Sequence, residues 1–378
     1  MTICDINKCT GCMACVNICP AGAIRMTIGD TYKTVPQIDG SLCKNCGICT
    51  KVCPENNPCE GTQPFKCFAV TKADGADTKH CASAGVGAEL AKLVRDSGGV
   101  VFGAGYKDGK VCHIAARTDE ELEMLKGSKY VQSDTGLSYK EAKGYLESGQ
   151  RVLFVGTPCQ IAGLRNYLGM DYENLLTVDL ICHGTPPQKF LDDYLTELGV
   201  SDKCREVRFR GDEDYFFTVY GDDGVIYKES ATTNLYYRSY YNKILMRDNC
   251  HICRYATYKN RPADITIGDF WGIDRVRYGI KEGVKVSLVL INSEKGEAFF
   301  KGVNMPAVQV EITDGVSGNA QLKAPCPAGD DREKFIKSYR LGFTKAANKT
   351  KVKKNIRRNK LNLAIFRIKA GIKRGLKL

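Results

Sequence analysis

Two stretches of this sequence, CTGCMACVNICP from Cys9 to Pro20 and CKNCGICTKVCP from Cys43 to Pro54, each hold four thiols in the order C-x2-C-x2-C-x3-C-P. A disulfide staple, a zinc knuckle and an iron–sulfur cage all need thiols, but at different spacings. Three thiolates at C-x2-C-x2-C wrap one face of a four-iron cubane only if the loop turns tightly. Small or turn-forming residues intervene here: Gly11, Ala14, Asn45 and Gly47. The fourth cysteine leaves the loop and, with its proline, serves the other cluster. That crossover assigns Cys9, Cys12, Cys15 and Cys53 to one [4Fe–4S] cluster, and Cys43, Cys46, Cys49 and Cys19 to a second. Soft thiolates select iron–sulfur or zinc over hard cations. Zinc sites usually pair two C-x2-C hooks or add histidine, and this segment has no histidine.

The spacing is that of bacterial two-cluster ferredoxins. With AGAIRMT and YKTVPQID as short elements linking the two halves, residues 1–58 are expected to form a small ferredoxin domain. Two clusters in one module carry electrons between two places, so the rest of the chain should supply the other end.

The bulk composition permits this. A chain of 378 residues can hold two or three domains and a sizeable core, and 43% hydrophobic with 26% charged residues argues against disorder. No apolar run reaches the length of a membrane span. The opening MTICDINK lacks a signal-peptide core, which predicts a cytoplasmic location where 19 cysteines read as metal ligands and redox groups before disulfides. The net charge of +12 is unevenly placed. Of 55 Lys and Arg, 13 lie in residues 345–378, and the remaining 42 nearly balance the 43 acidic residues.

The elements that must position the chemistry follow from Lys79 onward. AELAKLVRDSGG, DEELEML, SYKEAKGYLESG and QIAGLRNYLG read as helices; VVFGAGY, VCHIAA, RVLFVG and LLTVDLIC read as strands. This alternation predicts an α/β domain with a largely parallel sheet. Past residue 204, EVRFR, YFFTVYG and GVIYKE suggest a β-rich subregion, and NLYYRSYYNKILM a helix. GAGYKDG has a G-x-G but no following helix, so it fails as a dinucleotide fingerprint. In CASAGVGAELAK, Ser83 is expected to cap the helix, with Gly85 and Gly87 leaving its first amides open to an anion; an ordinary capped helix is the plainer reading.

More thiols gather where strands end. VGTPCQIAG puts Cys159 in the first turn of a helix opened by Pro158, where the dipole favours a thiolate. LLTVDLIC delivers Cys182, followed by His183. In a parallel sheet both ends share the ligand-binding edge. CHIC adds Cys250 and Cys253. From spacing alone, a third [4Fe–4S] cage, a zinc site using His183 or His251, and buried structural cysteines all stand open.

LKGSKYVQSD (Leu125 to Asp134), GTPCQIAGL, DLICHG, CHIC and DITIGDFWGI (Asp264 to Ile273) together resemble the coenzyme F-420 hydrogenase/dehydrogenase beta-subunit family of iron–sulfur flavoproteins, across residues 80 to 330. Many bacterial members of that family carry a ferredoxin module in front. The resemblance implies the fold class: a small two-cluster ferredoxin domain (α+β) followed by an α/β flavoprotein domain with a β-rich subregion, over residues 79–330. It also implies FAD or a related flavin, and a third [4Fe–4S] cluster on Cys159, Cys182, Cys250 and Cys253. It points to Ser83 and Gly85, with Lys126, Ser128 and Lys129 meeting pyrophosphate oxygens. Where relatives often read Ser-Ser-Gly-Gly, this chain has Ser83-Ala84-Gly85-Val86, with one hydroxyl fewer. Asp269 and Trp271 match the family block without a derivable catalytic role, and packing is the plainer reading for the single tryptophan.

Clusters exchange single electrons and a flavin passes a pair as hydride. The expected function is therefore an oxidoreductase working between a ferredoxin-type carrier or other redox partner and an organic substrate or deazaflavin. The alternative is a non-catalytic electron-transfer subunit. In the tail, residues 345–378, Leu361, Ile365, Ile368, Ile372 and Leu376 recur at helical spacing among Lys and Arg. Such a basic amphipathic helix suits peripheral attachment to an anionic membrane surface, against the alternatives of a solvated tail or a helix docked on a partner. No reader fold suggests nucleic acid.

Overall fold

The computed structural model describes residues 2–72, 78–210 and 215–375, with side chains followed to residue 365. The N-terminal duplication folds as two matching turns. Helix α1 (Ala14–Ile18) leads to the hairpin β1 (Ile24–Ile28) and β2 (Thr34–Ile38), and α2 (Ile48–Val52) repeats α1. The loop before each helix needs two left-handed residues at equivalent places: Gly11 and Asn45 (φ 68° and 54°), then Met13 and Gly47 (φ 62° and 70°). Gly takes this conformation freely and Asn tolerates it, whereas Met13 holds it under strain.

The body is built on an eight-stranded sheet. In chain order its parts are β3 (Lys66–Thr71), α3 (Val86–Asp96), β4 (Val100–Lys107), β5 (Lys110–Ala116), α4 (Asp119–Leu125), α5 (Ser138–Glu147), β6 (Val152–Gly156), α6 (Pro158–Leu168) and β7 (Leu175–Leu180). An excursion follows: α7 (Gln188–Glu197), then β8 (Glu206–Arg208), β9 (Phe216–Gly221) and β10 (Gly224–Ser230), a separate antiparallel sheet, and α8 (Leu235–Tyr241). The chain returns through β11 (Ile265–Asp269), β12 (Val286–Ile291), α9 (Glu294–Phe300), β13 (Ala307–Val310) and α10 (Ile312–Ser317). It closes with α11 (Arg332–Ser338), α12 (Phe343–Asn348) and α13 (Lys351–Gly375).

The sheet order is β13-β3-β12-β11-β7-β6-β4-β5. Strands β4, β6, β7 and β11 pair in parallel; every other pairing is antiparallel, which sets β5, β12 and β13 against the direction of the other five. The sheet is thus mixed, not largely parallel as the alternation suggested. The cause is nonlocal: β3 pairs with β12 more than two hundred residues later, and β12 (VSLVLI), buried along its whole length, takes the opposite direction from β11. Strand β3 also lies before residue 79, so elements of the large unit begin ahead of the expected boundary. They also continue past residue 330, because Phe335, Tyr339, Phe343 and Val352 of α11 to α13 share the aromatic core of the excursion with Phe190, Tyr194, Phe217 and Tyr236.

The N-terminal segment packs into the body rather than standing apart. Ile3, Cys12, Ala14, Val52 and Cys53 share one core with Phe102, Tyr139, Phe154 and Leu164. Polar bonds fix the register. Asn17 Nδ2 donates to the Gly136 carbonyl (2.8 Å), and Asn166 Nδ2 donates to the carbonyls of Val52 and Asn57 (3.2 and 2.7 Å).

Candidate functional site

The two N-terminal thiol sets differ in surroundings. Cys9, Cys12, Cys15 and Cys53 are buried, whereas Cys19, Cys43 and Cys49 are half-exposed and Cys46 is exposed. Burial pushes the Cys12 thiol up to about 12 and raises Cys15 as well. Cys9 and Cys53 are lowered, first of all because the thiol of Cys4 hydrogen-bonds to both. Cys4 is thus a fifth thiol at the first set. Sequence reasoning passed over it because it lies outside the repeated spacing.

One helix joins this set to the body. On α6, Gly163 faces Cys12 so closely that a Cβ there would lie 2.9 Å from both Cβ and Sγ of Cys12. One turn earlier, ~6 Å along the axis at 1.5 Å per residue, the same helix carries Cys159. Its first turn is opened by Pro158 and held by Gln160, whose Oε1 accepts from the Thr157 N–H (2.9 Å) and whose Nε2 donates to the Ser133 carbonyl (3.1 Å). Tyr139 fills the space between, its hydroxyl donating to the Gln160 carbonyl (2.8 Å). The Leu125–Asp134 block also serves this junction: Gln132 Nε2 donates to the Thr10 carbonyl (3.0 Å), and just beyond the block Thr135 Oγ1 donates to the Cys12 carbonyl (2.9 Å).

At the C-terminal ends of the parallel strands the chain brings Cys159, Cys182, Cys250 and Cys253 to one cavity wall. Gly184 (φ 103°) makes the approach possible, since a Cβ there would meet Met246 Cγ at 2.7 Å and Cys250 Cβ at 3.2 Å. Burial, followed by the neighbouring thiols of the set, raises Cys159 far above the ordinary thiol range, Cys182 to about 12 and Cys253 to about 11; burial raises Cys250 too. Thr157 Oγ1 lies 3.2 Å from the Cys159 sulfur, and the Gly184 N–H donates to the Cys182 sulfur (3.4 Å). The hook is positioned by a fully buried ion pair. Arg261 Nη2 donates to Asp179 Oδ1 (2.6 Å) beside the end of β7, while Nη1 donates to the Tyr255 carbonyl (3.0 Å) just past the hook. Of the two histidines considered for zinc, His183 lines the same cavity and is held neutral by burial. His251 is turned away, its Nδ1 bonded to the Cys326 carbonyl (2.8 Å). Among the described residues no three His, Cys, Asp or Glu side chains converge tightly enough to hold a single metal ion. Four half-buried soft donors on one wall suit the chemistry of an iron–sulfur cage. Cys326, also buried and lining the cavity, was not singled out by spacing.

The cavity encloses about 1170 Å³, beyond the roughly 300–1,000 Å³ usual for a small-molecule site. There is room for a large cofactor beside the thiols. Ser83, Gly85, Lys126, Ser128 and Lys129 all line it. Ser83 does not cap α3, contrary to expectation. It is itself left-handed (φ 53°), its hydroxyl donates to the Val286 carbonyl (2.7 Å), and Gly85 occupies the cap position. Lys126 pairs with Glu123 (2.7 Å), and Lys129 Nζ donates to the carbonyls of Met124 and Lys126 that end α4 (3.0 and 2.8 Å). Burial lowers Lys129 to about 8. The Tyr255 hydroxyl, on the same wall, is buried without a hydrogen-bond partner, a polar atom suited to a bound group. Also lining the cavity, Tyr130 stacks on Tyr240 (4.6 Å, 6°), Arg210 Nη1 donates to Asp269 Oδ2 (2.6 Å), and Trp271 lies on the rim, 44% exposed. Trp271 is therefore not a core residue. Gly318 lies against its backbone, where any Cβ would clash with the Trp271 carbonyl. His113, unnoticed in the sequence, stacks on Phe154 at the cavity wall; burial lowers it to about 4 and keeps it neutral.

Residues 149–314 match the family described as the C terminus of the coenzyme F420 hydrogenase/dehydrogenase beta subunit, and residues 8–57 match the 4Fe-4S dicluster domain. An uncharacterized protein of Methanocaldococcus jannaschii is 24% identical over 336 residues, covering 79% of this chain and 87% of that protein. Coenzyme F420-dependent sulfite reductase of the same organism is 26% identical over 213 residues, covering 54% of this chain and 32% of that enzyme, so this chain spans about a third of the reductase. A chain from the xenon-derivatized F420-reducing [NiFe] hydrogenase complex of Methanosarcina barkeri is 16% identical, with a TM-score of 0.46 over 76% of this chain and 96% of that one.

Proposed function

We propose that this chain, which belongs to the coenzyme F420 hydrogenase/dehydrogenase beta-subunit family through residues 149–314 and carries a 4Fe-4S dicluster segment at residues 8–57, is an iron–sulfur flavoprotein oxidoreductase. It would take electrons one at a time from a ferredoxin-type carrier or redox partner and hand them in pairs to an organic substrate or a deazaflavin, or run in reverse. The observation that carries this reading is the single helical turn of α6 that separates Gly163, packed on Cys12, from Cys159 on the cavity wall. Cys43, Cys46, Cys49 and Cys19, on the exposed side, would hold the cluster nearest a partner, and Cys9, Cys12, Cys15 and Cys53 the buried one. Cys159, Cys182, Cys250 and Cys253 would hold a third cluster. Ser83, Gly85, Lys126, Ser128 and Lys129 would line the site of FAD. When bound, the clusters supply one-electron steps and the flavin supplies hydride chemistry. The protein's own part is to exclude water with the Tyr130–Tyr240 stack and to keep His113 and His183 neutral beside the cavity.

Protein purified without oxygen tests this directly. About twelve irons with one flavin per chain is the expected content, whereas about eight irons and no flavin would leave only the dicluster segment.

The match to a third of a larger reductase favours a second reading, an electron-delivering subunit for a separate enzyme. A bound flavin that reoxidises with small acceptors argues for the first reading, and its absence for the second.

The tail adds a surface. No described helix is long and apolar enough to cross a membrane. Helix α13 docks on the body through Val352, Ile356, Asn355 and Asn359, but Leu361 and Ile365 face outward; the side chains of Ile368 and Ile372, and Leu376 itself, lie outside the described residues. We propose that the part beyond Leu361 lies on an anionic membrane. Vesicles of acidic lipid should retain the whole chain but not one truncated at Lys360; equal retention would discard the idea.

A further inference from the structure

Arg247 is fully buried at the junction of the N-terminal segment with the body, 1% exposed, and its hydrogen bonds all end on neutral oxygens. Nη2 donates to the carbonyls of Cys9 (3.0 Å) and Thr34 (3.1 Å), Nη1 to Gln132 Oε1 (2.6 Å) and Thr34 Oγ1 (3.4 Å), and Nε to Asn249 Oδ1 (3.2 Å). Among the described residues no carboxylate lies within ion-pairing distance of it. The nearest in sequence, Asp248, is taken by Lys33 (2.7 Å) and Arg332 (2.6 Å), both largely buried. Around Arg247 the junction therefore holds three cations and one carboxylate. Leaving such charge buried without compensation would cost several kcal/mol. The backbone of the same residue reaches the other thiol set: the Cys250 N–H donates to the Arg247 carbonyl (3.1 Å), and the Arg247 N–H donates to the Thr185 carbonyl (3.1 Å). Gly11 has no side chain because a Cβ would come within 2.9 Å of Arg247 Nη2.

We infer that Arg247 is a fixed positive charge shared by the first N-terminal cluster and the cluster on the cavity wall, holding both reduction potentials up while fastening the two thiol loops together. The inference rests on the three-cluster reading above. A four-thiolate cluster carries net negative charge that grows by one on reduction, so a buried guanidinium with no other counter-charge favours the reduced form of each. Cys43, Cys46 and Cys49, on the exposed side, lie outside this arrangement. Arg247 is a positioning and tuning residue, not a catalytic one.

The test is a potentiometric titration of the anaerobic, iron-loaded full chain, followed by electron paramagnetic resonance, on the parent, Arg247→Lys and Arg247→Gln. Arg247→Gln should make reduction of two of the three clusters about tenfold less favourable, a fall of ~59 mV for one electron, and leave the third unmoved. Arg247→Lys keeps the charge but loses the fan of hydrogen bonds, and should stay near the parent. If Arg247→Gln retains no iron, Arg247→Lys alone decides: potentials near the parent support the role of charge, and a fall overturns it. Twelve irons with unmoved potentials in Arg247→Gln would also overturn the inference while leaving the proposed function standing. Eight irons in the parent would instead remove the three-cluster reading itself.

Discussion

The ion pair between Asp179 and Arg261 offers the sharpest energetic test of how the cavity wall is built. Both side chains are fully buried, and Arg261 also donates from Nη2 to the Leu180 carbonyl (3.1 Å), from Nη1 to the Tyr255 carbonyl (3.0 Å) and from Nε to Thr266 Oγ1 (3.1 Å). The pair ties the end of the strand that delivers Cys182 to the segment just past Cys253. Asp179→Leu removes the carboxylate and strands a buried guanidinium, which costs about 3–5 kcal/mol. With about 2.1 cal/mol/K of unfolding entropy per residue, a chain of this length should lose ~4–6 °C in Tm. Arg261→Met should cost a similar amount. The double variant loses the charges together and leaves mainly unpaired carbonyls, about 1–3 kcal/mol in all, so the two single effects should overlap by several kcal/mol. Calorimetry on the four proteins measures this, and iron content reports the wall: if the proposed third cluster forms there, the single variants should lose its four irons first. A cost under ~1 kcal/mol for Asp179→Leu, or strict additivity in the double variant, would refute the claim that this pair sets the hook against the strand.

Gly163→Ala should push the first thiol loop off α6; overpacking of about 1–3 kcal/mol is partly offset by the ~1 kcal/mol gain in helix propensity. Stability by urea titration should therefore fall by about 0–2 kcal/mol, while stopped-flow reduction of any cavity-side chromophore through the N-terminal segment slows severalfold. Lys129 is ordinarily at 10.5 and is lowered by burial to about 8. Between those values the unfolded chain binds the extra proton, so stability rises with pH across that window; comparison with Lys129→Met in urea at pH 7.5 and 9.5 should show the parent gaining on the variant at the higher pH. The affinity for FAD, if Lys129 meets its pyrophosphate, should fall as pH rises through about 8, read by flavin fluorescence.

What the sequence made legible follows from range. The eight N-terminal cysteines declare themselves because an iron–sulfur loop is a local object: four residues of spacing and a left-handed turn at Gly11 or Asn45 complete it. The strands of Val100–Lys107, Val152–Gly156 and Leu175–Leu180 were readable as short apolar runs, and their parallel pairing put Cys159 and Cys182 on a common edge. The direction of the outer strands was not readable, since nothing within Lys66–Thr71 names its partners Val286–Ile291 and Ala307–Val310. Ser83 misled for the same reason. Its local setting is that of a cap, and a carbonyl two hundred residues away claims the hydroxyl. Arg247, Cys4 and Cys326 were invisible because each acts through a contact that no spacing encodes; the only trace was seven cysteines in excess of the twelve that motifs explain.

Burial across the three thiol sets supplies the remaining argument about direction. The outermost set is half-exposed to exposed, the next is buried against α6, and the last is half-buried on the wall of a deep cavity. Exposure to water stabilises the more charged, reduced form of a cluster, while burial opposes it unless a fixed charge intervenes. Without compensation, the inner sites would be harder to reduce than the outer one, and electrons entering at Cys46 would meet a rising barrier. The surplus cations at the junction, Arg247 with Lys33 and Arg332 against Asp248 alone, stand where such a barrier would be steepest. Arg247, Lys33, Arg332 and Asp248 are thus among the residues that fasten the N-terminal segment to the body and also the ones whose net charge would level the route inward.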